Sequence, residues 1–432
     1  MKSFAQNCLI LPRIMNVELF IARRIKLSGK AHQGGSPSLS VATCGVVLAI
    51  VIMILSVVIV MGFKQEVTHK IYSINPHLRI NNAALGLSDN YSTVDSREIF
   101  SPLMADSAIV PNFVSMSLIA EKAALIKTDD DFMGVEFRGV DDHYDWAFLT
   151  DCLVAGRVPH FGADADEREI LVSKRIAQKL NLHVGDKTFT YFIGSKVKVR
   201  RSVIVGIFNT DFDTFDKSYV IGNISLLQGV NGWDENTGNY VGVNLNNRNS
   251  IKETAYSAFC DLAAYSYAHH TPNLYNVAQI ENENAPYFAW LSMLNTNVAV
   301  IIVLMLIVSS FTLIAALLMI VLERIKMVGM LKALGATNRS IRKIFVYLTS
   351  KLVIKSMVLG NALGLGLALL QQQFHIIHLN PDAYYMSYVP IEISIPAMIV
   401  LNVGILVVSL ITLIGPSHIV STIKPTSTMR FE

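Results

Sequence analysis

Charge is what this chain has least of. Asp, Glu, Lys and Arg make up only 16% of its 432 residues, where a soluble domain averages about 25%. The deficit is concentrated in four stretches, Leu39–Met61, Val298–Leu322, Leu352–Leu370 and Ile393–Gly415, in which Lys355 is the one ionisable residue. A helix rises 1.5 Å per residue, so about 20 residues cross a hydrocarbon core of about 30 Å. Each stretch is near that length. Acids and bases inside spans usually mark ion or proton pathways. Their absence weighs against ion-coupled transport, and Lys355 lies near a span end, where it can snorkel.

Catalytic signatures are missing too. No GxxxxGK[ST] is present, and Gly29-Lys30 lacks both the upstream glycine and the following hydroxyl residue. A phosphate-cradling loop is therefore excluded, and ATP hydrolysis by this chain is not expected. GxSxG and HExxH are also absent. Cysteines number four, at 8, 44, 152 and 260. Cys152 and Cys260 alone lie outside the apolar and N-terminal stretches. They are read either as a pair in an oxidising compartment or as two buried free thiols. No cleaved signal peptide is expected, because the apolar run Cys8–Pro12 is too short. Asp211, Asp213 and Asp216 form an acidic cluster, read as a solvated turn because it lacks the Gly and terminal Glu of a calcium loop. His375 and His378 lack further obvious metal ligands. No metal or cofactor is assigned.

Charge that is present falls asymmetrically. Six basic residues against one acid precede the first span, and eight against Glu323 lie between Glu323 and Lys355. The long excursion 63–292 carries 20 basic and 28 acidic residues, and the loop 371–392 has no Lys or Arg. Positive-inside bias places both termini and the 323–355 loop in the cytoplasm, with the excursion and the short loop on the far side. Each basic run abuts a span, so topology explains it without nucleic acid.

The reading is an α+β membrane protein: four transmembrane helices with a large mixed α/β extracytoplasmic domain inserted between helices 1 and 2. The segments are an N-terminal amphipathic piece (1–37), helix 1 (38–62), the inserted domain (63–292) and helix 2 (293–322). A cytoplasmic coupling segment (323–345), helix 3 (346–370), a short outer loop (371–391), helix 4 (392–416) and a cytoplasmic tail (417–432) follow. Val17, Phe20, Ile21 and Ile25 among Arg23, Arg24 and Lys26 suggest a basic amphipathic helix on the membrane surface. Gly62–Ile74 extends helix 1 beyond the bilayer until Asn75-Pro76, and Ala285–Leu294 runs into helix 2. The domain is thus expected on two helical stalks. Within it, the pattern predicts a helix over Lys174–Leu182, a hairpin of Thr188–Ile193 with Lys196–Val199, and strands Val203–Phe208, Tyr219–Ile224 and Val241–Leu245. A helix is expected near Ile251–Leu262. Gly360, Asn361, Gly364, Gly366 and Asn402 read as helix-packing devices.

Residues 323–345 are the expected point of energy input. Ile325, Val328, Leu331 and Leu334 are taken as one apolar stripe, Gly335 as the stop, and Thr337 as the N-cap of the next helix. At Glu323-Arg324-Ile325-Lys326-Met327-Val328-Gly329-Met330-Leu331-Lys332-Ala333-Leu334-Gly335-Ala336-Thr337 the chain resembles the FtsX-like ABC transporter permeases. Met327 stands where that family commonly has a carboxylate. Phe20–Arg24, Met61-Gly62-Phe63 and Asn75-Pro76-His77 resemble the start of the lipoprotein-releasing (Lol-type, LolC/LolE-like) branch, and the tail Ile423–Arg430 resembles in part the family's closing P-x-x-A-L-R pattern.

That resemblance implies a MacB-like core for the inserted domain and a permease subunit that is not itself an enzyme. It implies a separate LolD-like ATPase that uses the ATP, a second permease (identical or homologous), a lipoprotein cargo and a periplasmic carrier, at the bacterial inner membrane. ATPase docking is assigned to Glu323, Arg324, Val328, Gly329, Leu331, Lys332, Leu334 and Gly335. Alternatives are a MacB/FtsX-like permease that exports a small molecule or peptide, or one that regulates a cell-wall hydrolase; a non-ABC sensor or scaffold is a third.

Overall fold

The computed structural model describes residues 37–83, 93–128, 131–161, 166–194, 196–271 and 273–421. The amphipathic segment around Val17–Leu27 and the tail motif 423–430 lie outside these residues.

The described residues open with α1 (Pro37–Ile74), a helix of 38 residues. Pro at its first position lacks only an N–H that no helix would use there. Asn75-Pro76 follows its last residue, because a proline at position 76 can supply no donor to continue the ladder. The inserted domain then begins with β1 (Leu78–Asn82), β2 (Val94–Asp95), α2 (Ser96–Ala105), β3 (Phe113–Lys127), β4 (Phe132–Val140) and α3 (Ala147–Asp151). It continues through β5 (Leu153–Gly156), β6 (Glu169–Ser173), α4 (Lys174–Leu180), β7 (Lys187–Phe192), β8 (Lys198–Phe208), α5 (Asp213–Ser218) and β9 (Tyr219–Asn223). It closes with α6 (Ile224–Asn231), β10 (Thr237–Gly238), β11 (Tyr240–Leu245), α7 (Ile251–His269), β12 (Tyr275–Gln279) and α8 (Ile280–Glu283). The remaining helices are α9 (Ala285–Glu323), α10 (Ile325–Ala333), α11 (Asn338–Phe374), α12 (Pro381–Tyr384) and α13 (Ile395–Ser421).

Helices α1, α9, α11 and α13 are each long and apolar enough to cross a membrane. Their shared core runs through Ile50, Met53 and Ile54 of α1, Leu313 and Leu317 of α9, Phe345 and Leu348 of α11, and Ile405 of α13. Gly360 and Gly364 let α11 approach α1 closely: a Cβ at Gly360 would stand 2.7 Å from Ile50, and one at Gly364 3.1 Å from Ile54. Gly366 meets nothing and plays no such part. Asn361 and Asn402 exchange side-chain hydrogen bonds of 2.7 and 3.0 Å, tying α11 to α13.

The compact unit around the inserted domain comprises Lys64–Leu291 together with Ile377–Tyr388, so most of the loop before α13 belongs to it. Its main sheet runs β12-β1-β11-β3-β4-β9-β6-β8-β5, and β7 pairs with both β3 and β8. β3, β4, β9, β6, β8 and β7 therefore close into a ring. The β4–β9 and β6–β8 pairs are parallel; the other pairs of the ring are antiparallel. Phe137, Phe192 and Phe208 are fully buried, and Phe137 meets Phe192 edge to face at 5.5 Å. α2 and α7 pack together, and α7 lies against β12.

The anticipated hairpin is present as β7–β8. The strand expected separately at Val203–Phe208 is the second half of β8, and the helix expected to end at Leu262 runs on to His269. Cys44, Cys152 and Cys260 are free thiols; Cys260 is exposed and Cys152 half-buried, so the pair is neither bridged nor fully buried.

Candidate coupling site

The segment after α9 is built by backbone rules. The helix breaks at Arg324, whose carbonyl accepts from the Val328 amide at 3.1 Å and starts α10. At the other end the Ala336 N–H bonds the Leu331 carbonyl at 2.9 Å, and the Gly335 N–H bonds the Lys332 carbonyl at 3.0 Å. This is a Schellman stop. Gly335 has φ +89°, a left-handed conformation that other residues adopt at a cost of about 1–2 kcal/mol. Thr337 then caps α11, its hydroxyl accepting from the Ser340 amide at 3.3 Å.

The eight residues assigned to docking do not share one face. Val328 is 1% exposed and joins the membrane-bundle core beside Ile341 and Phe345. Gly329 is also buried. Arg324, Leu331 and Lys332 are half-buried, while Glu323, Leu334 and Gly335 are exposed. The physical reason is rotation. A helix advances 100° per residue, so a three-residue spacing slips by 60° each time, and Leu334 ends half a turn away from Ile325. The outward apolar face is instead Met330 and Leu334, one turn apart, 62% and 81% exposed. Met330 escaped the sequence reading, although its i, i+4 relation to Leu334 was visible.

The inserted domain carries a second constellation where α1 ends and α9 begins. Arg138, buried on β4, donates from Nη1 to the Ile74 carbonyl at 3.1 Å and from Nε to Glu121 at 2.7 Å. It therefore places a cation on the C-terminal end of α1, where the helix dipole favours positive charge. Burial pushes the Glu121 carboxyl up, but the charges of Arg138 and Arg79 outweigh it and hold the carboxyl below its usual range. His77 accepts the Leu245 amide on Nδ1 at 2.9 Å, so that nitrogen carries no proton. Burial, then the charge of Arg248, lowers its pKa to about 4. The His77 carbonyl accepts from Ile280 at 3.0 Å, and the Tyr72 hydroxyl donates to Glu281 at 3.1 Å. Tyr72 also meets Phe288 edge to face at 6.0 Å.

The 377–388 loop joins the same knot. The Tyr385 carbonyl accepts from Lys70 Nζ at 2.9 Å, and the Tyr385 ring lies 5.0 Å from Phe212, 6.2 Å from Trp290 and 6.4 Å from Tyr287. Ser387 donates to Asp211 at 2.9 Å. Asp216 is buried, accepts from the Thr210 amide and hydroxyl, and has a pKa pushed up to about 6 by burial. Asp213 pairs with Arg175 and Lys217. The acidic cluster is thus a hydrogen-bonded brace, not the solvated turn expected. Among the described residues, Asp141, Asp142 and His143 are the group close enough to hold an ion. Asp141 already accepts the Leu118 and His143 amides, which makes it a turn-forming residue. At the β7–β8 end, Phe132, Phe189, Ile193, Val197 and Val199 expose an apolar surface that the alternating pattern alone did not reveal.

A family model described as the MacB-like periplasmic core domain matches residues 39–256, half the chain, and one described as the FtsX-like permease C-terminal matches 299–425. The chain belongs to the MacB-like, FtsX-like permease family. It is an ABC transporter permease subunit and a multi-pass protein of the bacterial inner membrane. The permease is similar to the lipoprotein-releasing system transmembrane protein LolC of Xylella fastidiosa, 22% identical over 424 residues, which cover 94% of this chain and 97% of the relative. It is also similar to the protein LolE of Haemophilus influenzae, 21% identical over 432 residues (95% and 98%). Among solved structures it is similar to the extracellular domain of the noncanonic ABC-type transporter YknZ from Gram-positive bacteria. There the identity is 17%, the coverage 47% of this chain and 99% of that one, and the TM-score 0.32. The periplasmic region of MacB from Actinobacillus actinomycetemcomitans aligns at 10% identity over 49% and 91%, also at TM-score 0.32.

Proposed function

We propose that this permease couples ATP hydrolysis by a separate ATPase subunit to extraction of lipoproteins from the outer leaflet of the inner membrane. The observation that carries the reading is the end-to-end likeness to LolC and LolE proteins, spanning both the membrane helices and the inserted domain. In this reading residues 323–345 face the cytoplasm, and a cleft on the ATPase receives Met330 and Leu334. Two permeases, identical or homologous, work as a pair. Movement of α10 passes into α9 and α11; α9 enters the inserted domain without a break, as α1 does. At the knot, α1, α9 and the 377–388 loop share hydrogen bonds and ring contacts, so displacement of any one would be felt by the others. The exposed apolar end of β7–β8 is the surface suited to a soluble carrier that takes the cargo.

Depletion of the permease tests this reading. Lipoproteins are expected to accumulate in the inner membrane, and reconstituted permease–ATPase complex is expected to release them only with ATP. Normal lipoprotein sorting during depletion, with loss of efflux of a small molecule or peptide, would transfer the permease to the exporter alternative.

A further inference from the structure

Helix α7 has an apolar stripe on its outward face. Ile251, Thr254, Ala255, Ala258, Leu262 and Ser266 turn inward. Opposite them lie Tyr256, Phe259, Cys260, Ala263, Ala264 and Tyr267, all exposed, with Tyr256 at 72% and Tyr267 at 83%. Their spacing is i, i+3, i+4, i+7, i+8 and i+11, which keeps to one face over three turns. No charged side chain interrupts that stripe. Exposed Lys252 and Glu253 flank it at the N-terminal end, and His269 and His270 at the C-terminal end. An uninterrupted apolar stripe on a surface helix, bounded by polar groups, is the composition of a helix-pairing face.

We propose that this stripe is where the inserted domains of two copies of this chain meet, with α7 packing antiparallel on its own symmetry mate. The proposal deepens the paired-permease reading and rests on it. A two-fold axis perpendicular to the helix makes the contact isologous. With the axis between Asp261 and Leu262, Phe259 faces the partner's Ala264, Cys260 faces the partner's Ala263, and Tyr256 faces the partner's Tyr267. At the centre Phe259 and Cys260 then meet alanines, as close packing requires, while at each end of the stripe two tyrosine rings meet. The ends match as well: Glu253 faces the partner's His270. A parallel pairing would set Phe259 against its own copy and Lys252 against Lys252, losing both complementarities. One helix face buries less than the ~1,200 Å² of a stable interface. The contact is therefore formed where a membrane assembly already holds two copies at high effective concentration.

Cysteine cross-linking in native membranes tests it on the full-length permease. The background is Cys8, Cys44 and Cys152→Ser, which keeps Cys260, with Ala263→Cys added on the exposed face. Facing Cα atoms in such a pair come within the 4.4–6.8 Å that a disulfide spans. Copper–phenanthroline oxidation is expected to give a species of twice the 47.7 kDa chain mass, reversed by reductant. Lys252→Cys in the same background, which faces Thr271, is expected to give none. Phe259→Cys with Ala264→Cys, after Cys260→Ser, is expected to repeat the doubled band and guards against a local effect of the first variant. Differently tagged copies report separately on pairing. If they co-purify but neither cysteine pair cross-links, the α7 contact is wrong and the paired reading stands. If they do not co-purify, the α7 contact between two copies falls and the paired reading keeps only its homologous-partner form. A cross-link to a protein of another mass, cargo or carrier, overturns the α7 pairing.

Discussion

Arg138 brings a full charge into the interior of the inserted domain and spends it on the last carbonyl of α1 and on Glu121. Removing one partner of such a buried pair leaves the other uncompensated, typically at 3–5 kcal/mol. Arg138→Met should therefore destabilise the domain by about that amount, and adding Glu121→Leu should recover part of the loss. Denaturation of the single and double variants in detergent measures the coupling directly. His77 gives a pH test. Its proton affinity is lowered in the fold, from 6.5 to about 4, so the unfolded chain binds the proton first. Stability from this residue is complete above about 6.5 and is lost as pH falls toward about 4. Asp216 and Asp141 work in the opposite sense. Burial raises both to about 6, so their contribution is present in acid and declines as pH rises through about 6. His77→Asn keeps an acceptor for the Leu245 amide and removes the titrating group. Melting curves from pH 4.5 to 7 should show it losing less stability in acid than the parent; an unchanged acid slope would rule out His77 as a source.

At the scale of elements, α10 separates packing from contact. Val328→Glu buries an unpaired carboxylate in the membrane-bundle core and should abolish accumulation of folded permease. Leu334→Glu lies on the outward face and should leave folding intact while weakening ATPase association by about 2–4 kcal/mol, roughly 30- to 1,000-fold. Pull-down of the ATPase, with permease yield measured alongside, distinguishes the two effects. Equal ATPase binding by Leu334→Glu and the parent would remove α10 from the docking surface. Much of this region was legible in the sequence. The Schellman stop at Gly335 and the Thr337 cap depend on one or two residues each, and local chemistry decides them. The long helices were legible because bilayer length and proline set their limits. What was not legible is which way α10 faces, since Ile325, Val328, Leu331 and Leu334 satisfy a repeat of three, whereas the helix turns by 3.6. Nor did the pattern reveal that Asp216 is buried. Three nearby carboxylates look solvated until Ser387 and Arg175 arrive from distant positions and Thr210, six residues from Asp216, turns its amide and hydroxyl onto that carboxylate.

At the scale of the whole molecule, the bond between Lys70 and the Tyr385 carbonyl spans 315 residues of sequence, a contact no local signal could announce. The Tyr385 ring is the part of this link that mutation can reach. Tyr385→Ala removes a half-buried ring packed against Phe212, Tyr287 and Trp290, with a destabilisation of roughly 1–3 kcal/mol. If the knot carries motion, the reconstituted complex should still hydrolyse ATP while its yield of released lipoprotein per ATP falls. An unchanged ratio would assign the knot to stability alone.

The closed circuit of β3, β4, β9, β6, β8 and β7 has a mechanical consequence. An open sheet under tension can be unzipped from its edge, one ladder at a time, but a hoop offers no loose end and must be sheared all at once. Stretched in single-molecule tweezers by handles at residues 64 and 291, the domain should first lengthen as β12 and β1, which form the open edge outside the circuit, peel apart from the paired Leu78 and Gln279. The ring behind them should then hold until one abrupt rupture, a stop that keeps a pulled lobe from unravelling further.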